Sequence, residues 1–230
     1  MGNPYAVNLD GVHFNGNCHF GVIRNLKGTC YDDLVALNAH EGARGDITNI
    51  DISDIYAEYC HSAVRLLLVR QNIKNIRISN VYGNFYQYCI GFTKFYPGET
   101  KGFFDAISID NVFAAKALPA RKGDFAHPRC APEDSLRLLW IQKETEVKNL
   151  SVSHWHRRES TVSQELIRVD NSGKVGRMIL SDITCENYTD KPYPLLYNMG
   201  TIDYLSTRDL DNRNGEVIKN EGTISELKQG

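Results

Sequence analysis

Apolar residues recur along this chain in a fixed four-point pattern, at offsets 0, 3, 5 and 8 from a starting position. The pattern is filled by Ile47, Ile50, Ile52 and Ile55 in ITNIDISDI, by Ile73, Ile76, Ile78 and Val81 in IKNIRISNV, and by Phe104, Ile107, Ile109 and Val112 in FDAISIDNV. A further copy, VKNLSVSHW, ends on a tryptophan, and looser copies start at Cys18, Val175 and Ile202. Self-similarity at such intervals marks a repeat architecture, in which each unit hides its apolar face against its neighbours.

A second apolar segment follows each copy: DLVALN, AVRLLLV, CIGFTKF, SLRLLWI, ELIRVD, PLLYNM and EVIKN. Their β-branched and aromatic content, with Gly, Asn, Asp and Pro between them, reads as strand. No long window holds a 3.6-residue apolar period, so helices are nearly excluded. Strand, turn, strand and longer turn, repeated about seven times, predict an all-β parallel β-helix. Side chains then alternate between interior and outer face, and matching inward positions stack in columns along the axis. A β-sandwich is also strand-rich, but it gives no reason to repeat one template at near-constant spacing.

The chain, residues 1–230, reads as a single β-helix domain. It begins almost directly with a coil, where a solenoid end needs a polar cap, and this predicts the C-terminal portion of a longer solenoid. The segment KALPARKGDFAHPRCAPED, residues 116–134, lengthens the fourth coil and is expected to stand as a wall beside one sheet. A net charge of -2 argues against a general nucleic-acid binder. No apolar run reaches the roughly eighteen residues of a membrane-spanning helix. Neither nucleic acid nor a membrane is therefore an expected partner. The first residues show no secretion leader; if one has been removed, the expected place is extracellular or on a virion. The six cysteines form no C-x-x-C pair and read as small buried apolar residues.

Candidate chemistry lies in NLDGVHFNGNCHFGVIRNLKGTCYDDLVAL, residues 8–37. Asp10 stands near the start of one coil, and Asp32 with Asp33 near the start of the next. Stacked coils lie about 4.8 Å apart, so these three carboxylates can converge on one outer groove. Adjacent Asp32 and Asp33 repel each other, and strand alternation aims one of them inward. Such a pair is costly unless one member is protonated or a function holds it.

N-L-D-G at 8–11 followed one coil later by D-D-L-V-A-L at 32–37 resembles the polygalacturonase family of glycoside hydrolases, whose pattern is N-T-D-G and then D-D-C before an apolar strand. The resemblance implies a pectin-lyase-like, right-handed parallel β-helix that hydrolyses polyuronic acids with inversion. It also implies that Asp10, Asp32 and Asp33 are the acid and base carboxylates. Inversion needs two carboxyl groups about 6.5–9.5 Å apart, which neighbouring coils can supply. The family continues with G-H-G and R-I-K. His61, in YCHSAVRL, can take the histidine's place without its flanking glycines. Arg65 can take the arginine's place with Leu67 for the lysine, or CIGFTKF can hold that position with Gly91 for the arginine and Lys94 one place late.

Arg65, Arg137 and Arg168 occupy comparable places in successive second strands, with Lys94 nearby. Pointing outward, they would form a positive ladder suited to a carboxylated or sulfated polymer. His154 and His156 flank Trp155 and would share a strand face, but no third ligand of clear spacing accompanies them, so no metal and no cofactor is expected. The leading expectation is a glycoside hydrolase acting on an acidic polysaccharide. A non-catalytic adhesion module of the tail-fibre kind and a polysaccharide lyase using Arg65 are the alternatives.

Overall fold

A computed structural model describes residues 10–94, 96, 100–118 and 137–230. The described chain is built from strands and turns, without helices, and every strand pairing is parallel. Eight short strands form one sheet: β1 (Val12–Phe14), β4 (Asp33–Asn38), β6 (Ser62–Leu67), β8 (Ile90–Thr93), β10 (Leu139–Ile141), β12 (Ile167–Val169), β14 (Leu196–Asn198) and β16 (Ile218–Asn220). Nine form the other: β2 (Cys18–His19), β3 (Val22–Gly28), β5 (Ile47–Cys60), β7 (Ile73–Phe85), β9 (Phe104–Lys116), β11 (Glu146–Glu159), β13 (Lys174–Asn187), β15 (Thr201–Asn212) and β17 (Thr223–Gln229). In each sheet successive rungs lie side by side, giving a parallel β-solenoid.

The solenoid makes about six turns, against about seven expected from spacing. At one end β2 and β3 share one rung, and at the other β17 closes a short one. Each of the seven second segments named above contributes a strand to the eight-stranded sheet. Most of the insertion, residues 119–134, lies outside the described residues, as does Cys130.

The 0, 3, 5, 8 pattern has a backbone cause. Within long strands, one residue between offsets 0 and 3, and another between offsets 5 and 8, adopts left-handed φ: Asn49 and Asp54 in β5, Asn75 and Asn80 in β7, Ala106 and Asn111 in β9. Each such residue turns the chain and consumes one position, so inward side chains are three apart across the bend and two apart between bends. Asn and Asp tolerate this conformation better than other non-glycine residues. The second bend persists at His154, Asp182 and Asp209.

Inward positions stack as expected. Ile47, Ile73, Phe104, Val147, Val175 and Ile202 form one fully buried column by direct register. Trp155 is buried in the column that continues Val112. Burying one such side chain contributes about 1.5–3 kcal/mol, so the columns carry the fold. Cys30, Cys60, Cys89 and Cys185 are buried free thiols, as composition implied.

Candidate functional site

A single residue, His61, links β5 to β6, so the chain turns sharply from one sheet into the other. One rung earlier the same corner is made by the turn ending at Asp32, with Asp33 opening β4. A further rung back stands Asp10. Gly11 lets these two coils approach: a Cβ there would sit 2.6 Å from the Leu34 carbonyl oxygen, and its N–H donates to the Asp33 carbonyl at 3.0 Å. The corner therefore gathers Asp10, Asp32, Asp33 and His61. Of the NLDG motif, residues 8 and 9 lie outside the described residues.

Asp33 is the member that alternation turns inward, and it is fully buried. Its Oδ2 faces Arg65 Nε at 2.8 Å. Its Oδ1 accepts hydrogen bonds from Ser62 and from the Tyr88 hydroxyl, the latter at 3.2 Å. Burial alone would raise its pKa, but Arg65, His61 and Ser62 outweigh that and hold the carboxyl below its ordinary range. Asp32 is the opposite case. Burial first, then repulsion from Asp33, push its pKa up to about 6, with His61 opposing. Two adjacent carboxyls thus have their proton affinities driven apart, one raised and the other lowered.

His61 Nδ1 lies 3.8 Å from Asp32 Oδ1 and 3.7 Å from Asp33 Oδ1. Its ring meets Tyr86 and Tyr88 edge-on, with centroids 5.5 and 5.9 Å away. Asp10 is held at both oxygens: Oδ1 accepts the Asp33 backbone N–H at 3.2 Å, and Oδ2 faces His13 Nδ1 at 2.6 Å. His61 and Arg65 belong to one coil, so the rung that holds the histidine also holds the arginine, while β8 carries Gly91 beside Arg65.

Sequence reasoning missed the far side of this cluster. His13 Nε2 lies 3.1 Å from Asn38 Nδ2 and 3.6 Å from Glu41. Glu41 also faces Arg65 at 3.8 Å and accepts from Tyr96. Only His13 leaves a legible signal, three residues after Asp10 and within β1. Tyr88, Ser62 and Glu41 arrive from other rungs and turns.

The expected ladder of cations is corrected in register. One outward row of the short sheet runs His13, Ala36, Arg65, Gly91, Trp140, Arg168, Tyr197 and Lys219. Arg65 and Arg168 share that row, but Arg137 stands three positions before Trp140, and Lys94 three after Gly91. Matching of the inward Val64, Ile90, Leu139 and Ile167 fixes this register. Each cation also meets an internal acid. Arg65 faces Asp33 and Glu41, Lys94 faces Glu144, Arg137 faces Glu165, and Arg168 faces Glu165 and Asp170.

His154, at a bend, and His156 both point outward on either side of the buried Trp155 and line one hollow. His154 lies 2.7 Å from Asp110 and 3.7 Å from Asp182, in a shallow hollow of about 530 Å³ on the long sheet. Asp10, Asp32, Asp33 and His61 do not line that hollow. Among the described residues, one group offers atoms close enough for a metal ion: Asp32, Asp33 and His61, within 4.8 Å of one another. Arg65 pairs with Asp33 through Oδ2, whereas Oδ1 is the oxygen beside His61. Compared with known proteins, the chain matches no family model, no curated protein and no solved structure. A parallel β-solenoid is a scaffold compatible with carbohydrate-active enzymes and with binding or adhesion proteins.

Proposed function

We propose that this chain is a carbohydrate-active β-solenoid that hydrolyses glycosidic bonds by acid/base chemistry at the Asp10, Asp32, Asp33 and His61 corner. The observation that carries the reading is the divergence of two adjacent carboxyls, Asp32 with its pKa near 6 and Asp33 held ionised. Asp32, mostly buried with about a tenth of its side chain exposed, is the proton donor to the leaving oxygen. Asp10 is the base toward water, oriented by His13 and the Asp33 N–H. Asp33, wholly buried, sets the charge that keeps Asp32 protonated and anchors Arg65. The motif resemblance adds inversion and a uronic-acid-containing polymer to this reading.

Reducing-end release from a glycan panel tests it. Turnover should fall above about pH 6 as Asp32 loses its proton. Asp32→Asn and Asp10→Asn should each lower kcat by about 10² or more. Binding with no turnover in the wild type would instead favour the adhesion module, and an unsaturated, ultraviolet-absorbing product would favour the lyase.

A further inference from the structure

We propose that the acid corner binds a zinc ion through Asp32, Asp33 and His61, and that the bound ion blocks the hydrolysis proposed above. The binding stands on the geometry of the corner alone. The block rests on the hydrolase reading, because Asp32 cannot give up a proton while it ligates a metal.

The spacing of the three side chains fits such an ion. His61 Nδ1 stands 3.8 Å from Asp32 Oδ1 and 3.7 Å from Asp33 Oδ1, longer than an ordinary hydrogen bond. Ligand atoms about 2.0–2.2 Å from a tetrahedral zinc lie about 3.3–3.6 Å from each other. One ligand atom from each side chain already falls within 4.8 Å of the other two, so a small inward movement completes three corners of a tetrahedron. Asp32 points the same way. Its side chain is nine-tenths buried, yet no described residue donates a hydrogen bond to its carboxylate, and its ion-pair partner is the His61 ring across that gap. A carboxylate buried in this condition is costly, and a cation relieves the cost.

The surroundings hold the ligands in place. Arg65 takes Asp33 Oδ2 at 2.8 Å and leaves Oδ1 toward His61, where the Ser62 and Tyr88 hydroxyls steady it. Gly91 makes room for the Tyr88 ring, which a Cβ at that position would meet at 2.7 Å. Outer partners of this kind orient metal ligands. Asp10, Asp32, Asp33 and Glu41 bring four carboxylates to the corner, and Arg65 pairs with Asp33 and Glu41. A dication reduces the negative charge that remains. One imidazole with two carboxylates is a donor set for zinc, whereas calcium and magnesium take six or more oxygens, several of them from water. Side chains no more than 10% exposed leave little room for that hydration.

The test is calorimetric titration of the metal-free whole chain with zinc chloride at pH 7, with no glycan present. One ion per chain should bind with a Kd of about 10 μM or tighter. Asp32→Asn and His61→Gln should each weaken binding about tenfold or more. Replacing the exposed His154 and His156 by alanine should leave it unchanged. Cobalt(II) added to the wild-type chain should show the intense visible bands of a four-coordinate ion, a readout that needs no variant to fold. Weaker binding, binding lost with His154 and His156, binding indifferent to Asp32→Asn, or the pale spectrum of six-coordinate cobalt would each overturn the site. On any glycan that is cleaved, zinc at its Kd should halve turnover at low substrate, and a chelator should restore it. Turnover unmoved by saturating zinc would overturn the block. Zinc held at the corner, with no glycan cleaved even in chelator, would sink the hydrolase reading and leave the metal site standing. Cleavage without zinc binding would do the reverse.

Discussion

At the scale of single residues, Asp32 costs the fold something. Its native pKa, about 6, lies above the ordinary 3.8, so the folded chain binds more protons than the unfolded chain between those values. Stability from this group is therefore fully present below about pH 4, falls as the pH rises to about 6, and stays lower above that. Asp33 has the opposite sign: its depressed pKa contributes stability that is lost only as the pH falls through its lowered native value. Asp32→Asn should accordingly stabilise the chain at pH 7 by about 1–2 kcal/mol, after allowance for the part of the carboxyl that water still screens. It should also flatten the pH dependence of urea unfolding between pH 4 and 6. A destabilised variant at pH 7 would mean that the carboxylate is not strained. The chemistry-bearing acids, His61 and Arg65 were legible in the sequence because residue type and coil spacing suffice to bring them together. Tyr88, Ser62 and Glu41 were not, because their roles depend on side chains crossing between rungs and on the space left at Gly91.

At the scale of elements, the bend residues explain both what the pattern revealed and what it hid. The step of three between inward positions is visible in the sequence, whereas the left-handed corner that causes it is not. Asn80 shows the mechanism. Its φ is 56°, its amide donates to Asp54 Oδ1 at 2.8 Å, and its own Oδ1 accepts from Asn111 at 2.8 Å. The side chain thus ties three rungs while the backbone turns. Asn80→Gly keeps the turn and loses the ties, for about 1 kcal/mol. Asn80→Val loses the ties and also forces a β-branched residue to positive φ, for about 2–4 kcal/mol in total. Equilibrium denaturation of the two variants should rank them in that order; equal losses would place the effect in the hydrogen bonds alone. The register of the short sheet was hidden for a related reason. Arg137 sits in a segment comparable to that of Arg65, but the inward Val64, Ile90 and Leu139 set the alignment and place Gly91 and Trp140 beside Arg65 instead.

At the scale of the whole molecule, a solenoid is stable only if each coil is bound to the next, and one buried polar knot serves this purpose midway along the stack. Arg157 and Glu159, at the end of β11, are both fully buried and paired at 2.7 Å. Glu159 accepts the backbone N–H of Lys116 at 3.0 Å, and the Lys116 ammonium reaches back to the carbonyls of Tyr86 and Gln87. Arg157 reaches forward to the Gln164 carbonyl and lies over the Tyr193 ring, 4.5 Å from its centroid. Consecutive coils are thereby joined through a single carboxylate. Burial and the Arg157 charge press the Lys116 pKa well down, with Glu159 opposing them. Glu159→Gln keeps the shape but removes that negative charge, leaving two buried cations near each other. Removing one partner of a buried pair costs about 3–5 kcal/mol, whereas replacing all the charged members with apolar groups of similar volume is often neutral or stabilising. The expected outcome is a large drop in the urea midpoint for Glu159→Gln, and substantial recovery when Lys116→Met and Arg157→Met are added to Glu159→Leu. If the single variant unfolds at the wild-type midpoint, the knot is not what binds these coils, and the apolar columns on either side of it hold them unaided.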